Sequence, residues 1–204
     1  MNVVTLPVVP ASAPAFTAPP RRAYTLLGVI QVVDTGDSGT TTSFGIRPVK
    51  SAAYKIYALS KPSRIVLDVT TPQRTVWARA HFLGTTGFNA APPPYTTSVP
   101  RPVIPSATAY GALQRLFAGP AQAERTQGLR FVGSGVAGSS RPAIKGGIAR
   151  IHLTGPCTGG GSTFTVASEI ALMPKRFPPV KRVKIYDTAE QTGRSPAAPT
   201  PSRR

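Results

Sequence analysis

Acidic residues are scarce in this chain: seven Asp and Glu stand against 24 Lys and Arg among 204 residues, a formal charge of +17. The seven carboxylates are scattered, with no more than two close together anywhere, as at Asp34 and Asp37, so an oxygen-ligand calcium cage and a two-carboxylate hydrolase site both lack support. A single cysteine, Cys157, excludes an internal disulfide and any multi-cysteine zinc site. His81 and His152 are the only histidines, which leaves little for catalytic metal chemistry. No run approaches the roughly 18 consecutive apolar residues of a membrane span. The first twenty residues hold five prolines and no early basic cluster, unlike a signal peptide. The expectation is a soluble, non-secreted chain that binds rather than catalyses.

Hydrophobic residues make up 41% of the sequence, enough for a core, while 23 prolines and 19 glycines keep some segments irregular. A positive surface of this size attracts polyanions, nucleic acid being the commonest, with acidic membrane or acidic protein as alternatives. Cations are densest beyond Pro174, spaced by prolines and small residues that prevent a continuous helix. The residues expected to neutralise RNA phosphates are Arg21, Arg22, Lys175, Arg176, Lys181, Arg182, Lys184, Arg203 and Arg204, by displacing counterions. Tyr24, Phe177 and Tyr186 offer rings that can stack on bases, and Arg101 and Lys145 read as isolated cations. The plainer alternative is a solvated tail that only keeps the protein soluble. Zinc-finger spacing, an RRM aromatic signature and a recognition-helix pattern are all missing, so no sequence-specific readout is expected.

Along the chain, residues 1–22 read as an extended, poorly ordered proline-rich arm ending in Arg21 and Arg22. Tyr24 to Val33 reads as a buried strand that stops at the turn-rich cluster Asp34 to Gly39, with a second strand over Thr40 to Val49. Ser51 to Leu59 has Ala52, Ile56 and Leu59 near helical spacing, and Pro62 bars continuation. Ile65, Leu67 and Val69, then Val76, Ala78, Ala80 and Phe82, alternate as an antiparallel pair. Phe88 to Thr108 holds six prolines and reads as a long surface connection outside any sheet. Tyr110 to Phe117 reads as a helix ended by Gly119 and Pro120, and Gly128 to Val132 resumes strand character. Gly147 to Thr154 and Ser162 to Met173 read as a hairpin joined by a glycine-rich turn.

Two glycine motifs fail in context. Gly133, Gly135 and Gly138 have the G-x-G-x-x-G spacing, but Pro142, Gly146 and Gly147 bar the helix that must receive a pyrophosphate. Gly161 stands where a P-loop needs its lysine. Ser, His and Asp are present without a G-x-S-x-G elbow, His81 and His152 fall in expected strands, and Cys157 has no positioned base.

The order of these features resembles the single jelly-roll coat proteins of small icosahedral RNA viruses, particularly plant-virus shell domains. Three stretches carry it: Ser51 to Leu83, similar to a helix followed by strands D and E; Phe88 to Phe117, similar to the E–F connection; and Gly147 to Pro174, similar to strands H and I. The arm has only Arg21 and Arg22, unlike long arginine-rich arms. The run from His81 to Gly84 lacks the aspartates that bind inter-subunit calcium in some such coats. The resemblance implies an all-β, eight-stranded antiparallel jelly-roll β-sandwich over residues 23–178, with one or two short helices, flexible termini and a basic tail over 179–204. It implies a structural capsid protein, not an enzyme, in which many copies enclose genomic RNA without cofactor or membrane, in the virion and, during assembly, the host cytoplasm. A ribosome-associated or other non-assembling RNA-binding protein with a β core and basic extensions is the alternative reading.

Overall fold

The computed structural model describes residues 2–7, 21–38, 41–71, 73–84, 95–158, 164–173, 177 and 180–189. Strands account for 49% of them, paired almost throughout antiparallel, with few and short helices. The expected all-β, antiparallel class is therefore present, although these pairings do not by themselves trace a jelly roll. The chain divides into two compact units, residues 1–131 and 132–204.

In the first unit, β1 (Asn2–Pro7), β4 (Thr41–Pro48), β3 (Val29–Ser38) and β2 (Arg21–Ala23) form one antiparallel sheet in that order. The proline-rich arm thus contributes a strand, which the sequence reading missed. The expected strand from Tyr24 starts only at Val29, because the carbonyls of Tyr24, Leu26 and Val29 all turn to the Arg115 guanidinium instead of a neighbouring strand. The strand then runs through the turn-like cluster. A register shift between Asp34 and Gly36 absorbs the irregularity, with Gly36 at φ 113° and its N–H donating to Asp34 Oδ1 at 2.9 Å.

The stretch Ser51 to Leu59 is not helical. β5 (Tyr54–Ser60) pairs with β6 (Ser63–Val69) in a two-stranded ribbon, with Tyr54 opposite Val69 and Ser60 opposite Ser63. Tyr54, Ile56 and Tyr57 favour a strand, and pairing with β6 along seven rungs prevails over the helical spacing of Ala52, Ile56 and Leu59. The second member of the expected antiparallel pair, β7 (Val76–Gly84), instead joins β8 (Thr96–Val103) and β9 (Leu129–Arg130) in the order β8-β7-β9.

The proline-rich stretch expected outside any sheet therefore enters one over Thr96–Val103, while residues 88–94 lie outside the described residues. Pro100 and Pro102 are two apart on an edge strand, so both lack their N–H on the open side, while Val99, Arg101 and Val103 keep theirs for β7. After a 3-10 turn (Pro105–Ala107), α1 (Thr108–Ala118) packs on β7 and β8. Its expected apolar face is buried, with Leu113 and Leu116 at or below 1% exposure, against a first-unit core that includes Ala80 and Phe82. The close approach needs Gly111, where a Cβ would lie 2.9 Å from Val103 Cβ. The helix stops at Gly119, whose φ of 88° suits glycine, and Pro120 follows. α2 (Gln122–Thr126) carries Glu124, whose Oε2 accepts the Ala121 N–H at 2.7 Å.

In the second unit, β10 (Gly138–Ser139) and β11 (Ala143–Lys145) pair antiparallel with β12 (Ile148–Thr154), and β13 (Arg182–Tyr186) pairs with β12 in parallel. Ala149, Ile151 and Leu153 are buried, as their alternation requires. The expected strand over Ser162 to Met173 is instead α3 (Val166–Ala171), so no H–I type hairpin forms. Buried Val166, Glu169, Ile170 and Met173 follow helical spacing, and Ser168 interrupts the alternation a strand would need. The hairpin partner of β12 is β11, through Gly146 and Gly147 at φ 57° and 72°, the two positive values of a tight two-residue turn.

The glycine fingerprint finds a structural use here. Gly133 to Val136 closes a turn that leads into β10 rather than a helix. Gly135 and Gly155, both at positive φ, let this loop and the segment after β12 touch: a Cβ on Gly135 would lie 3.0 Å from the Pro156 carbonyl, and one on Gly155 3.0 Å from Ala137 N. The rest of the expected P-loop-like turn, residues 159–162, lies outside the described residues.

Candidate nucleic-acid interface

The second unit builds one basic face from three short strands. Registered neighbours in a sheet point to the same side, so the row Lys145, Ile148, Arg182 lies beside the row Ala143, Arg150, Lys184, and beside it His152 and Tyr186. The opposite side carries Ala149, Ile151, Val183 and Ile185. Alternation along each strand thus puts every cation on one face, with Ala143 and Ile148 among them, and leaves the other face aliphatic. Lys145, Arg182 and Lys184 are exposed, Arg150 and His152 half-buried. None of the three strands contains an acidic residue, and Asp187, the residue after β13, is out of step with Lys184 and Tyr186 and accepts the Ala189 N–H at 2.9 Å. Glu169 in the same unit is fully buried, with its Oε2 accepting the Val132 N–H at 3.2 Å, so it does not neutralise this face.

β13 is anchored by a shared acceptor. The N–H groups of Lys181 and Arg182 both donate to the Gly147 carbonyl, at 2.7 and 3.0 Å, which fixes the parallel register immediately after the Gly146–Gly147 turn. At the far end the rings of His152 and Tyr186 stack with centroids 4.7 Å apart and planes 11° from parallel. Cations two residues apart on neighbouring strands, bordered by a planar stack, can hold phosphates along a single strand while a base extends the stack.

The expected RNA-contacting residues divide accordingly. Lys181, Arg182 and Lys184 come together on or beside β13. Arg21 and Arg22 are exposed on the edge strand β2 of the first unit. Lys175, Arg176, Arg203 and Arg204 lie outside the described residues. Arg101, read as an isolated cation, is instead 1% exposed: its guanidinium meets both Glu124 carboxylate oxygens at 2.7 and 2.5 Å and lies 5.3 Å from the Phe82 ring centre. A phosphate cannot reach it. Lys145, by contrast, is not isolated but shares a row with Arg182.

Sequence reading passed over Arg150 and His152 as members of this face. The alternation of Arg182, Lys184 and Tyr186 with Val183 and Ile185 was the available signal for β13, obscured by the prolines around it. Cys157 is free and exposed. Among the described residues, no three His, Cys, Asp or Glu side chains are grouped to share a metal ion, and no helix is long and apolar enough to cross a membrane. No protein family, no curated protein and no solved structure matches this chain.

Proposed function

We propose that this chain is a structural, self-assembling protein of the viral-coat class that packages RNA through sequence-nonspecific phosphate neutralisation, with many copies in a shell. The observation that carries RNA binding is the acid-free face of Lys145, Arg150, Arg182 and Lys184 beside the His152–Tyr186 stack. A face of this composition takes any single strand, because phosphates and base planes recur along every sequence. Arg21 and Arg22 on β2 supply a second exposed cationic position. No chemical step and no cofactor enters this function.

Assembly separates this reading from that of an RNA-binding or ribosome-associated protein acting as a single copy. The open apolar side of the β5–β6 ribbon supports assembly, since contiguous exposed apolar surface is where protein–protein contacts form. The test is negative-stain electron microscopy of the expressed protein, with the 260/280 nm absorbance ratio of the same fractions. Closed particles of uniform size with nucleic-acid absorbance are expected. Soluble monomers that hold RNA without assembling would transfer the function to the single-copy class, and monomers without RNA would remove both.

A further inference from the structure

The ribbon formed by β5 and β6 has one face made only of apolar and small residues. Residues opposite one another share a side, so the rungs Tyr54/Val69, Ile56/Leu67, Ala58/Ile65 and Ser60/Ser63 line one face from root to tip. The charged residues Lys55, Arg64 and Asp68 fall on the other face, and Lys61 sits in the turn beyond the Ser60/Ser63 rung. Tyr54 is 53% exposed, Ile65 51% and Ile56 38%, and β5 and β6 pack chiefly on each other. A two-stranded ribbon is marginal in water on its own, and this one leaves its apolar side open.

We propose that this face is a contact between two copies of the chain, stacked about a two-fold axis with the root of each ribbon over the tip of the other. The inference rests on the assembling reading above and names its contact. Two self-complementary stacks are available, root on root or root on tip. Side-chain size falls from Tyr54/Val69 at the root to Ser60/Ser63 at the tip. Root on root sets the largest rungs against each other and leaves a wedge at the serines. Root on tip sets Tyr54/Val69 over Ser60/Ser63 and Ile56/Leu67 over Ala58/Ile65, so every level has similar bulk and the ribbons keep the even spacing of packed sheets.

Charge argues for the same occupant. An anionic lipid surface or RNA would draw on a cluster of cations beside the contact, and here only Lys61, at the tip turn, borders a face whose rungs carry no charge, whereas a second copy of a +17 chain is best met where the touching surfaces are uncharged. The six apolar side chains at these exposures offer on the order of 400 Å² per copy, hence roughly 800 Å² for the pair, below the roughly 1,200–2,000 Å² of a stable complex. The pair is weak alone and is reinforced when each copy makes further contacts in a shell.

The full chain, freed of RNA by nuclease and held in high salt, tests this by sedimentation equilibrium and cysteine pairing. At high protein concentration wild type shows a weak monomer–dimer equilibrium, and Ile56→Glu with Ile65→Glu abolishes it with an unchanged circular dichroism spectrum and unchanged RNA affinity. In a Cys157→Ser background, mixing Ile56→Cys chains with Ala58→Cys chains gives mixed disulfide dimers in excess of either homodimer, because β5 lies over β5 with its direction reversed. A wild type that stays monomeric, an unaffected double variant, or dominant homodimers would overturn the proposal. Particles that form equally well with both glutamates would overturn this contact and leave the coat reading standing. Dimers of this register in a chain that never forms particles would uphold the contact and remove the coat reading.

Discussion

His152 and Tyr186 lie side by side on parallel neighbours β12 and β13, their rings stacked 4.7 Å apart at 11°. A flat pair at the end of a cationic face is suited to unpaired bases. Replacing Tyr186 by Ala is expected to weaken binding of an unstructured RNA oligonucleotide about 5- to 100-fold, the range for one lost base stack, whereas Tyr186→Phe retains it. Fluorescence anisotropy measures both. Equal affinity for all three proteins would mean that no base occupies this stack.

Arg182 and Lys184 act by charge, so their removal has a different signature. Each Ala substitution is expected to lower the slope of log affinity against log salt by roughly 0.7, with no dependence on oligonucleotide sequence. Titrations at several salt concentrations give the slope directly. A slope equal to that of wild type would place phosphate contact elsewhere.

Local period was the part of the fold most legible in the sequence. Ile148 to Thr154 declared its buried face through Ala149, Ile151 and Leu153, and α1 through Leu113 and Leu116. Pairing was much less legible, since β6 has apolar alternation compatible with either neighbour and nothing local says that Lys61 and Pro62 return the chain onto β5. Proline was over-read: Pro100 and Pro102 look prohibitive until their common spacing shows that one edge strand accommodates both. The candidate site was half legible, because β13 could be reached by alternation but its parallel registry on β12 depends on one carbonyl, that of Gly147.

Buried charge escaped sequence reading altogether. Arg115 is 1% exposed, with Nη1 donating to the carbonyls of Tyr24 and Val29 at 2.7 and 2.9 Å and Nη2 to that of Leu26 at 2.6 Å. Burial foremost, and then the charge of Arg101, push its pKa down to about 10, so it stays charged at neutral pH. Arg115→Met strands three carbonyls at once and is expected to cost about 3–5 kcal/mol in urea unfolding. Arg115→Lys keeps the charge but not the fork, and falls between. A loss under about 1 kcal/mol for the Met variant would mean that water satisfies the loop.

The Arg101–Glu124 pair gives a sharper contrast between single and double changes. Glu124→Ala leaves the Arg101 guanidinium buried against Phe82 with no carboxylate, at an expected cost of about 3–5 kcal/mol. Arg101→Met combined with Glu124→Leu removes both charges and is expected to cost less than the single change, because no uncompensated ion remains. Chemical denaturation of the three proteins decides it. A double variant less stable than Glu124→Ala would show that the pair contributes more than mutual compensation.

On the polar side of the ribbon, a hydrogen bond with Asp68 foremost, then slight burial and the Asp68 charge, raise the Tyr57 pKa above its ordinary 10.0, and Lys55 Nζ sits 5.7 Å from the ring centre. The neutral phenol is the favoured form. Stability from this contact is therefore fully present below pH 10 and is lost as pH rises through the higher folded value, because the folded chain then holds the proton that the unfolded chain has released. Asp68→Asn removes the negative charge and the strong acceptor, so Tyr57 ionises earlier. Absorbance at 295 nm followed against pH for wild type, Asp68→Asn and Tyr57→Phe isolates this residue from the other tyrosines. A Tyr57 component at the same pH in wild type and Asp68→Asn would mean that Asp68 does not hold the phenol in solution.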